Sequence, residues 1–123
     1  MAKNLLFVQY PKCSTCKKAE GWLKEKKASY ESRNIKEDNP TAQELAAWIA
    51  RSGLPVRRFF NTSGQLYREL GLKDKLEGMS DQEMTDLLAT DGMLVKRPLL
   101  ISQSGACVGF REAEWEKLLE SLS

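Results

Sequence analysis

The sequence predicts an α/β protein with a mixed sheet of four strands, built from a βαβ half and a ββα half. Three observations predict this class. A short apolar run at residues 5–8 precedes an amphipathic helix pattern that starts near residue 14. Near the other end, two short apolar runs flank the turn residues 103–105 and precede a last amphipathic helix. The stretch between these halves, about residues 40–92, has helical periodicity and is predicted to be a helical insertion.

The first half is predicted to run strand, helix, strand. Residues 3–10 form a buried strand that ends at Pro11. Residues 14–26 form a helix, because Cys16, Ala19 and Leu23 recur at the spacing of one helical face. Residues 28–35 form the second strand.

The insertion is predicted to contain three helices. Residues 41–44 and residues 80–83 each match a capping box, in which a Ser or Thr and a Glu three residues later satisfy the first N–H groups of a helix. The first of these helices ends at Gly53, and the other ends at residues 91–92. A short helix between them is predicted to be capped by Thr62 or Ser63 and to end at Gly71.

The second half is predicted to be a β-hairpin followed by a helix. Its strands are residues 99–101 and 106–110. Glu112 and Glu114 fall in the first turn of the last helix, where negative charge interacts favourably with the helix dipole. The predicted buried face of that helix consists of Trp115, Leu118, Leu119 and Leu122.

The composition is that of an ordinary globular protein. A chain of 123 residues is expected to form one domain, residues 1–123. The formal charge of +2 is too small to indicate direct nucleic-acid binding. No apolar run is long enough for a membrane span or for a secretory signal, so we expect a cytoplasmic protein with no membrane partner.

The chain has three cysteines and no histidine. The lack of histidine excludes Cys–His pairs, Ser–His–Asp triads and zinc sites that need a histidine ligand. Cys13 and Cys16 form a C-x-x-C motif at a predicted strand-to-helix junction. In a cytosolic protein this pattern favours a redox pair over a structural disulfide.

Cys13 is the candidate nucleophile, because the N-terminus of the helix and the neighbouring Lys12 both favour a thiolate. Cys16 lies one turn further along the apolar face and is the candidate resolving cysteine. Two alternatives remain open at this point: two small buried apolar residues, or part of a zinc site with Cys107. We expect no metal site and an unreactive Cys107, since the chain offers few ligands of the usual kinds.

Several motifs resemble the arsenate reductase/Spx family of thioredoxin-like proteins, over nearly the whole chain. The most specific are the C-x-x-C after a strand and the pattern D-G-x-L-x-x-R-P. The matching segments are residues 10–19, 56–64, 67–72, 91–98 and 108–110. The resemblance implies a thioredoxin-like, glutaredoxin-type fold with a helical insertion between its βαβ and ββα halves.

The resemblance also implies roles for residues outside the C-x-x-C. It implies a redox-active Cys13, with Arg97 facing it and a cis peptide bond before Pro98. Arg97 would stabilise a thiolate or a bound anion, and Pro98 would help to position a thiol substrate. Arsenate-reducing members use three arginines around the oxyanion. The first corresponds to Asn61 here and the third lies near Arg111, so Asn61 and Arg111 are further candidate substrate-binding residues.

Three functions are compatible with these features. The leading hypothesis is a small thiol–disulfide oxidoreductase that cycles Cys13 and Cys16, with no bound cofactor. Glutathione, thioredoxin or glutaredoxin would donate electrons, and the partner would be a thiol or disulfide substrate or a redox protein. The alternatives that the resemblance implies are an Spx-type redox-sensing regulator that binds RNA polymerase, and an arsenate reductase dependent on glutathione and glutaredoxin.

Overall fold

The structure is a computed structural model that describes residues 5–122. Its strands are β1 (Leu5–Gln9), β2 (Tyr30–Asn34), β3 (Leu99–Ile101) and β4 (Ala106–Val108). They form one sheet in the order β2-β1-β3-β4. Strands β1 and β2 run parallel, whereas β3 is antiparallel to both β1 and β4. The predicted mixed sheet of four strands is therefore confirmed.

One face of the sheet is covered by the two helices of the predicted halves, α1 (Ser14–Glu25) and α6 (Glu112–Glu120). Successive side chains of a strand point to opposite faces, and here Leu5 and Phe7 point toward these helices. Trp115 of α6 is fully buried, and its ring meets that of Phe7 edge to face at a centroid distance of 6.1 Å. This core fixes the position of α1, and with it the position of the C-x-x-C motif.

The other face of the sheet is covered by the insertion. Its helices are α2 (Ala42–Ser52), α3 (Gln65–Glu69), α4 (Leu72–Lys75) and α5 (Asp81–Leu88). Three short 3₁₀ segments accompany them, Val56–Phe59, Leu76–Gly78 and Gly92–Leu94. Strand side chains that point away from α1 and α6, such as Val8 and Leu99, pack against this layer. Helices therefore cover both faces of the sheet.

Both predicted capping boxes are present. Thr41 and Ser80 each accept a hydrogen bond from the backbone of the glutamate three residues later, and that glutamate bonds back to the cap. The predicted cap of the short helix was wrong: Gly64 is its N-cap, with no side-chain hydrogen bond. The predicted end of this helix is confirmed, because Leu70 is its C-cap and Gly71 follows with a φ of 65°, although an unpredicted helix, α4, begins directly after Gly71.

Some predicted boundaries also differ from the structure. Strand β2 is shorter than residues 28–35, and residues 3 and 4 of the predicted first strand lie outside the described residues. Strand β4 ends at Val108 rather than at residue 110, because Gly109 adopts a φ of 73° that no extended strand allows. Leu119 and Leu122 are half-buried rather than buried. None of the helices within residues 5–122 combines the length and apolar character needed to cross a membrane.

Candidate active site

The two cysteines of the motif lie where β1 gives way to α1. Cys13 is the N-cap residue of α1, and its sulfur accepts a hydrogen bond from the Cys16 backbone N–H, with an N···Sγ distance of 3.2 Å. The first N–H groups of a helix have no partners within the helix and carry its positive dipole end. The Cys13 sulfur therefore occupies a place that suits a negative charge. Both cysteines are free thiols in the structure.

Cys16 lies deeper than Cys13. Its side chain is 2% exposed, whereas Cys13 is half-buried. Burial, together with a side-chain hydrogen bond to Cys13, raises the pKa of the Cys16 thiol to about 12. The backbone of Tyr10 and the positive charge of Arg97 act in the opposite direction. In the reduced protein Cys16 therefore holds its proton, and the more accessible sulfur is that of Cys13.

Arg97 reaches the same place from the segment before β3. The peptide bond between Arg97 and Pro98 is cis, as the resemblance implied. The Arg97 guanidinium donates from Nη1 to the Val95 carbonyl at 3.1 Å and lies over the Tyr10 ring, 5.3 Å from its centroid. Its Nε is buried and has no hydrogen-bond partner. Arg97 thus retains a donor that a bound acceptor could satisfy.

A cavity of about 380 Å³ opens beside Cys13. Three cationic side chains line it, Lys96, Arg97 and Arg111, and no carboxylate does. Lys96 and Arg97 come from the segment before β3, while Arg111 follows β4. The remaining polar side chains in the wall belong to Thr15, Asn61 and Ser63. A nucleophilic sulfur beside several cations suits a negatively charged substrate.

The predicted site residues are not all in this cavity. Asn61 and Arg111 line it with Cys13 and Arg97, so four of them meet there. Lys12 is exposed and Pro98 is buried, and neither belongs to the lining. The Pro98 carbonyl instead accepts a hydrogen bond from the Gly109 N–H at 2.9 Å, which fixes the loop that carries Arg111.

Ser63, one of the two predicted caps of the short helix, lines the cavity instead, and the cap is the next residue, Gly64. Sequence reasoning also missed Lys96 in the cavity wall. Its place next to Arg97 in the chain was the one signal available.

Cys107, predicted to be unreactive, lies on β4, far along the chain from the motif. It is 8% exposed, and its sulfur is 3.7 Å from the Glu114 carbonyl oxygen, in position to donate to it. Burial, with a smaller contribution from the Glu114 carboxylate, raises the pKa of Cys107 to about 11. Within the described residues no group of three or more cysteine or acidic side chains is arranged to hold a metal ion.

Known proteins similar to this chain include both regulators and reductases. The uncharacterized protein YusI of Bacillus subtilis is 48% identical over 114 residues, covering 93% of this chain and 97% of YusI. The global transcriptional regulator Spx of Enterococcus faecalis is 27% identical, covering 89% of this chain and 81% of Spx.

Two solved structures resemble it closely. An ArsC family related protein from Bacteroides fragilis has a TM-score of 0.93 and 55% identity, covering 96% of this chain and 99% of that one. The arsenate reductase from Vibrio cholerae has a TM-score of 0.80 and 25% identity, covering 98% of both chains. The fold is therefore the thioredoxin-like fold of these proteins. Since the ArsC family model also matches residues 8–118, this chain belongs to the ArsC family.

Proposed function

We propose that the chain is a cytoplasmic thiol–disulfide oxidoreductase in which Cys13 attacks the substrate and Cys16 resolves the intermediate. One observation supports this most directly. The Cys13 sulfur accepts the Cys16 backbone N–H at 3.2 Å while lining a cavity whose charged residues are all cationic. Helix N–H groups and cations lower the energy of a thiolate, which is the nucleophile in disulfide exchange.

The proposed cycle has three balanced steps. The Cys13 thiolate attacks one sulfur of a substrate disulfide, forms a mixed disulfide and releases the other half as a thiolate. Cys16 then loses its proton and attacks Cys13, which releases the second half and leaves a Cys13–Cys16 disulfide. Two equivalents of an external thiol, such as glutathione, or one reduced thioredoxin or glutaredoxin, then reduce the Cys13–Cys16 disulfide to the dithiol. The donor is itself oxidised to a disulfide.

The surroundings of Cys16 favour this order of events. In the reduced protein, the hydrogen bond and negative charge of Cys13 both help to raise the pKa of Cys16. A mixed disulfide on Cys13 removes that charge, whereas Tyr10 and Arg97 still act to lower the Cys16 pKa. Burial, the largest cause of the raised Cys16 pKa, remains in the mixed disulfide, but loss of the Cys13 charge makes Cys16 easier to deprotonate once Cys13 has reacted. Cys16 therefore stays protonated in the reduced protein and reacts as a thiolate mainly in the mixed disulfide.

The test is a single turnover of the reduced protein with a small disulfide. We expect Cys13→Ser to abolish reduction and Cys16→Ser to accumulate a mixed disulfide on Cys13, both detected by mass spectrometry after acid quenching. Cys107→Ser is the matched control and is expected to keep the wild-type rate within about twofold. Wild-type reduction by the Cys13→Ser protein would refute the proposal.

Arsenate reduction is a second candidate, favoured by the three cations around Cys13. Arsenate takes up two electrons to become arsenite, while two thiols become one disulfide and water is released. The assay contains arsenate, glutathione and glutaredoxin, and it measures the arsenite that is formed. Turnover that depends on Cys13 would establish this activity, and none at millimolar arsenate would exclude it.

A regulatory role is the remaining alternative, supported by the similarity to Spx. In that case the Cys13–Cys16 pair would switch a contact with RNA polymerase instead of turning over a substrate. A pull-down of RNA polymerase with the reduced protein, the oxidised protein and the Cys13→Ser, Cys16→Ser double variant separates the two roles. Binding that does not depend on the redox state would exclude this alternative.

A further inference from the structure

Lys96 is held in the wall of the cavity by its own backbone and by the loop opposite. Its N–H donates to the Phe59 carbonyl at 2.7 Å, directly after the β-bridge between Phe60 and Val95. Its side chain runs over Gly109, where a Cβ would lie 3.2 Å from the lysine Cε and 3.9 Å from Nζ. The glycine therefore leaves room for the lysine stem, and the ammonium group lies close to the loop that carries Arg111.

The charge of Lys96 is not neutralised by a neighbour. Within residues 5–122 the ion pairs involve other cations, and Arg111 forms one with Glu114 at 3.6 Å between two exposed side chains. No Asp or Glu lines the cavity. Like charges in a partly enclosed space repel one another, and bound anions relieve that repulsion. Lys96 and Arg97 are adjacent in the chain and both line the cavity, so the cavity can hold more than one negative charge.

We propose that Lys96 determines substrate specificity by selecting small disulfides that carry carboxylates on both halves. This inference rests on the proposed oxidoreductase function, because Cys13 must first attack the disulfide. A carboxylate two or three bonds from the sulfur that Cys13 attacks would fall in the cavity that Lys96 lines. Lysine, a compact charge on a flexible stem, reaches such a group without a fixed geometry. The polar wall offers little to an apolar substrate.

Three small aliphatic disulfides of different charge test this proposal. They are 3,3′-dithiodipropionate, a dianion, bis(2-hydroxyethyl) disulfide, which is neutral, and cystamine, a dication. Each is mixed with the fully reduced protein, which becomes the Cys13–Cys16 disulfide as two small thiols are released. No other reductant is needed. The second-order rate constants are divided by those of the same disulfides with dithiothreitol, which corrects for intrinsic reactivity.

We expect the wild-type protein to favour the dianion over the neutral disulfide by about tenfold or more, since a hydrogen bond between charged partners is stronger than one between neutral groups. Lys96→Met is expected to lower the ratio of the dianion rate constant to the neutral rate constant about tenfold, because any effect on the Cys13 thiolate acts on both substrates and cancels in that ratio. Lys96→Arg is expected to retain the preference. Raising the ionic strength should weaken the preference of the wild-type protein.

Lys73→Met is the matched control, because it removes the same charge from an exposed position on α4 and is expected to alter none of the three rates. Equal slowing of the neutral and dianionic substrates by Lys96→Met, or an equal effect of Lys73→Met, would overturn the inference. The same holds if Lys96→Arg fails to retain the preference. Reduction that depends on Cys13 but ignores charge would refute the role of Lys96 alone, whereas reduction by Cys13→Ser would refute the proposed function itself.

Discussion

Cys13 and Cys107 show how differently one fold can treat the same side chain. Cys13 is a half-buried helix cap that faces a cavity with three cations. Cys107 is buried on the edge strand β4, its sulfur is in position to donate a hydrogen bond to the Glu114 carbonyl, and the carboxylate of Glu114 helps to raise its pKa. Backbone N–H groups and cations favour a thiolate, whereas burial and a carboxylate oppose it. Location within the fold, rather than residue type, decides how well the surroundings of each sulfur suit a negative charge.

Cys16 shows that burial alone does not explain the contrast between Cys13 and Cys107. It is buried like Cys107, and its pKa is also raised. The difference lies in what surrounds each sulfur. Cys16 has Cys13 as a bonding partner and Arg97 as a nearby positive charge, whereas Cys107 has neither. The role that we propose for Cys16 therefore depends on the neighbouring Cys13 sulfur and on Arg97, not on exposure.

The largest expected difference is in alkylation. With iodoacetamide at pH 7, we expect Cys107 of the folded protein to react at least about 100-fold more slowly than Cys13. The pKa of Cys107, raised to about 11, leaves roughly one molecule in ten thousand with a thiolate at that pH. Peptide mass spectrometry over time gives both rates.

The pH dependence of Cys107 alkylation shows whether the raised pKa is the reason for the slow reaction. Because a raised pKa keeps the proton on the sulfur, the rate should rise about tenfold for each pH unit and level off near pH 11. The unfolded protein in denaturant should instead level off near the ordinary cysteine pKa of about 8.5. A folded protein in which Cys107 reacts as fast as Cys13 would contradict the comparison.

An intermediate effect is expected for Arg97→Met on the resolving step. Since the Arg97 charge lowers the pKa of Cys16, its loss should raise that pKa further and slow formation of the Cys13–Cys16 disulfide about fivefold or less. The measurement starts from the mixed disulfide of Cys13 with 2-nitro-5-thiobenzoate. Attack by Cys16 releases this coloured thiolate, and its absorbance gives the rate.

Arg97→Lys is the matched variant and should close within about threefold of the wild-type rate, because it keeps the charge. Thermal unfolding of both variants shows whether the fold survives, since Arg97 also donates to the Val95 carbonyl. A rate that falls equally in Arg97→Lys and Arg97→Met, with no shift of the pH profile, would show that the charge is not responsible.

The smallest effect is expected for Glu114→Gln. Removal of this carboxylate should lower the pKa of Cys107 slightly and speed its alkylation by less than about threefold. Burial is the larger cause of the shift, and the Glu114 side chain is 49% exposed and therefore screened by water. The rate is measured in a Cys13→Ser, Cys16→Ser background. An increase above about tenfold would mean that charge, not burial, keeps Cys107 inert.

Features that depend on neighbours in the sequence were predicted well. The capping boxes at Thr41 and Ser80 form as expected, because the groups that bond are three residues apart. The C-x-x-C at a helix start is equally local. Gly64 as a cap and the helix α4 were missed, since neither has a capping side chain to mark it. The end of β4 was missed for a related reason, as the φ of Gly109 is set by contacts with Pro98 and Trp115.

The sequence by itself determined the order of the strands and of every helix except α4, the C-x-x-C motif and the family, because periodicity, caps and short motifs are carried by residues close together in the chain. Only the tertiary structure decided that Lys96, Asn61 and Arg111 surround Cys13 while Lys12 and Pro98 do not. Residues up to 98 positions apart meet in that cavity, from Cys13 to Arg111. Their meeting depends on the pairing of β3 with β1 and β4 and on the core beneath α1, and no local pattern encodes either one.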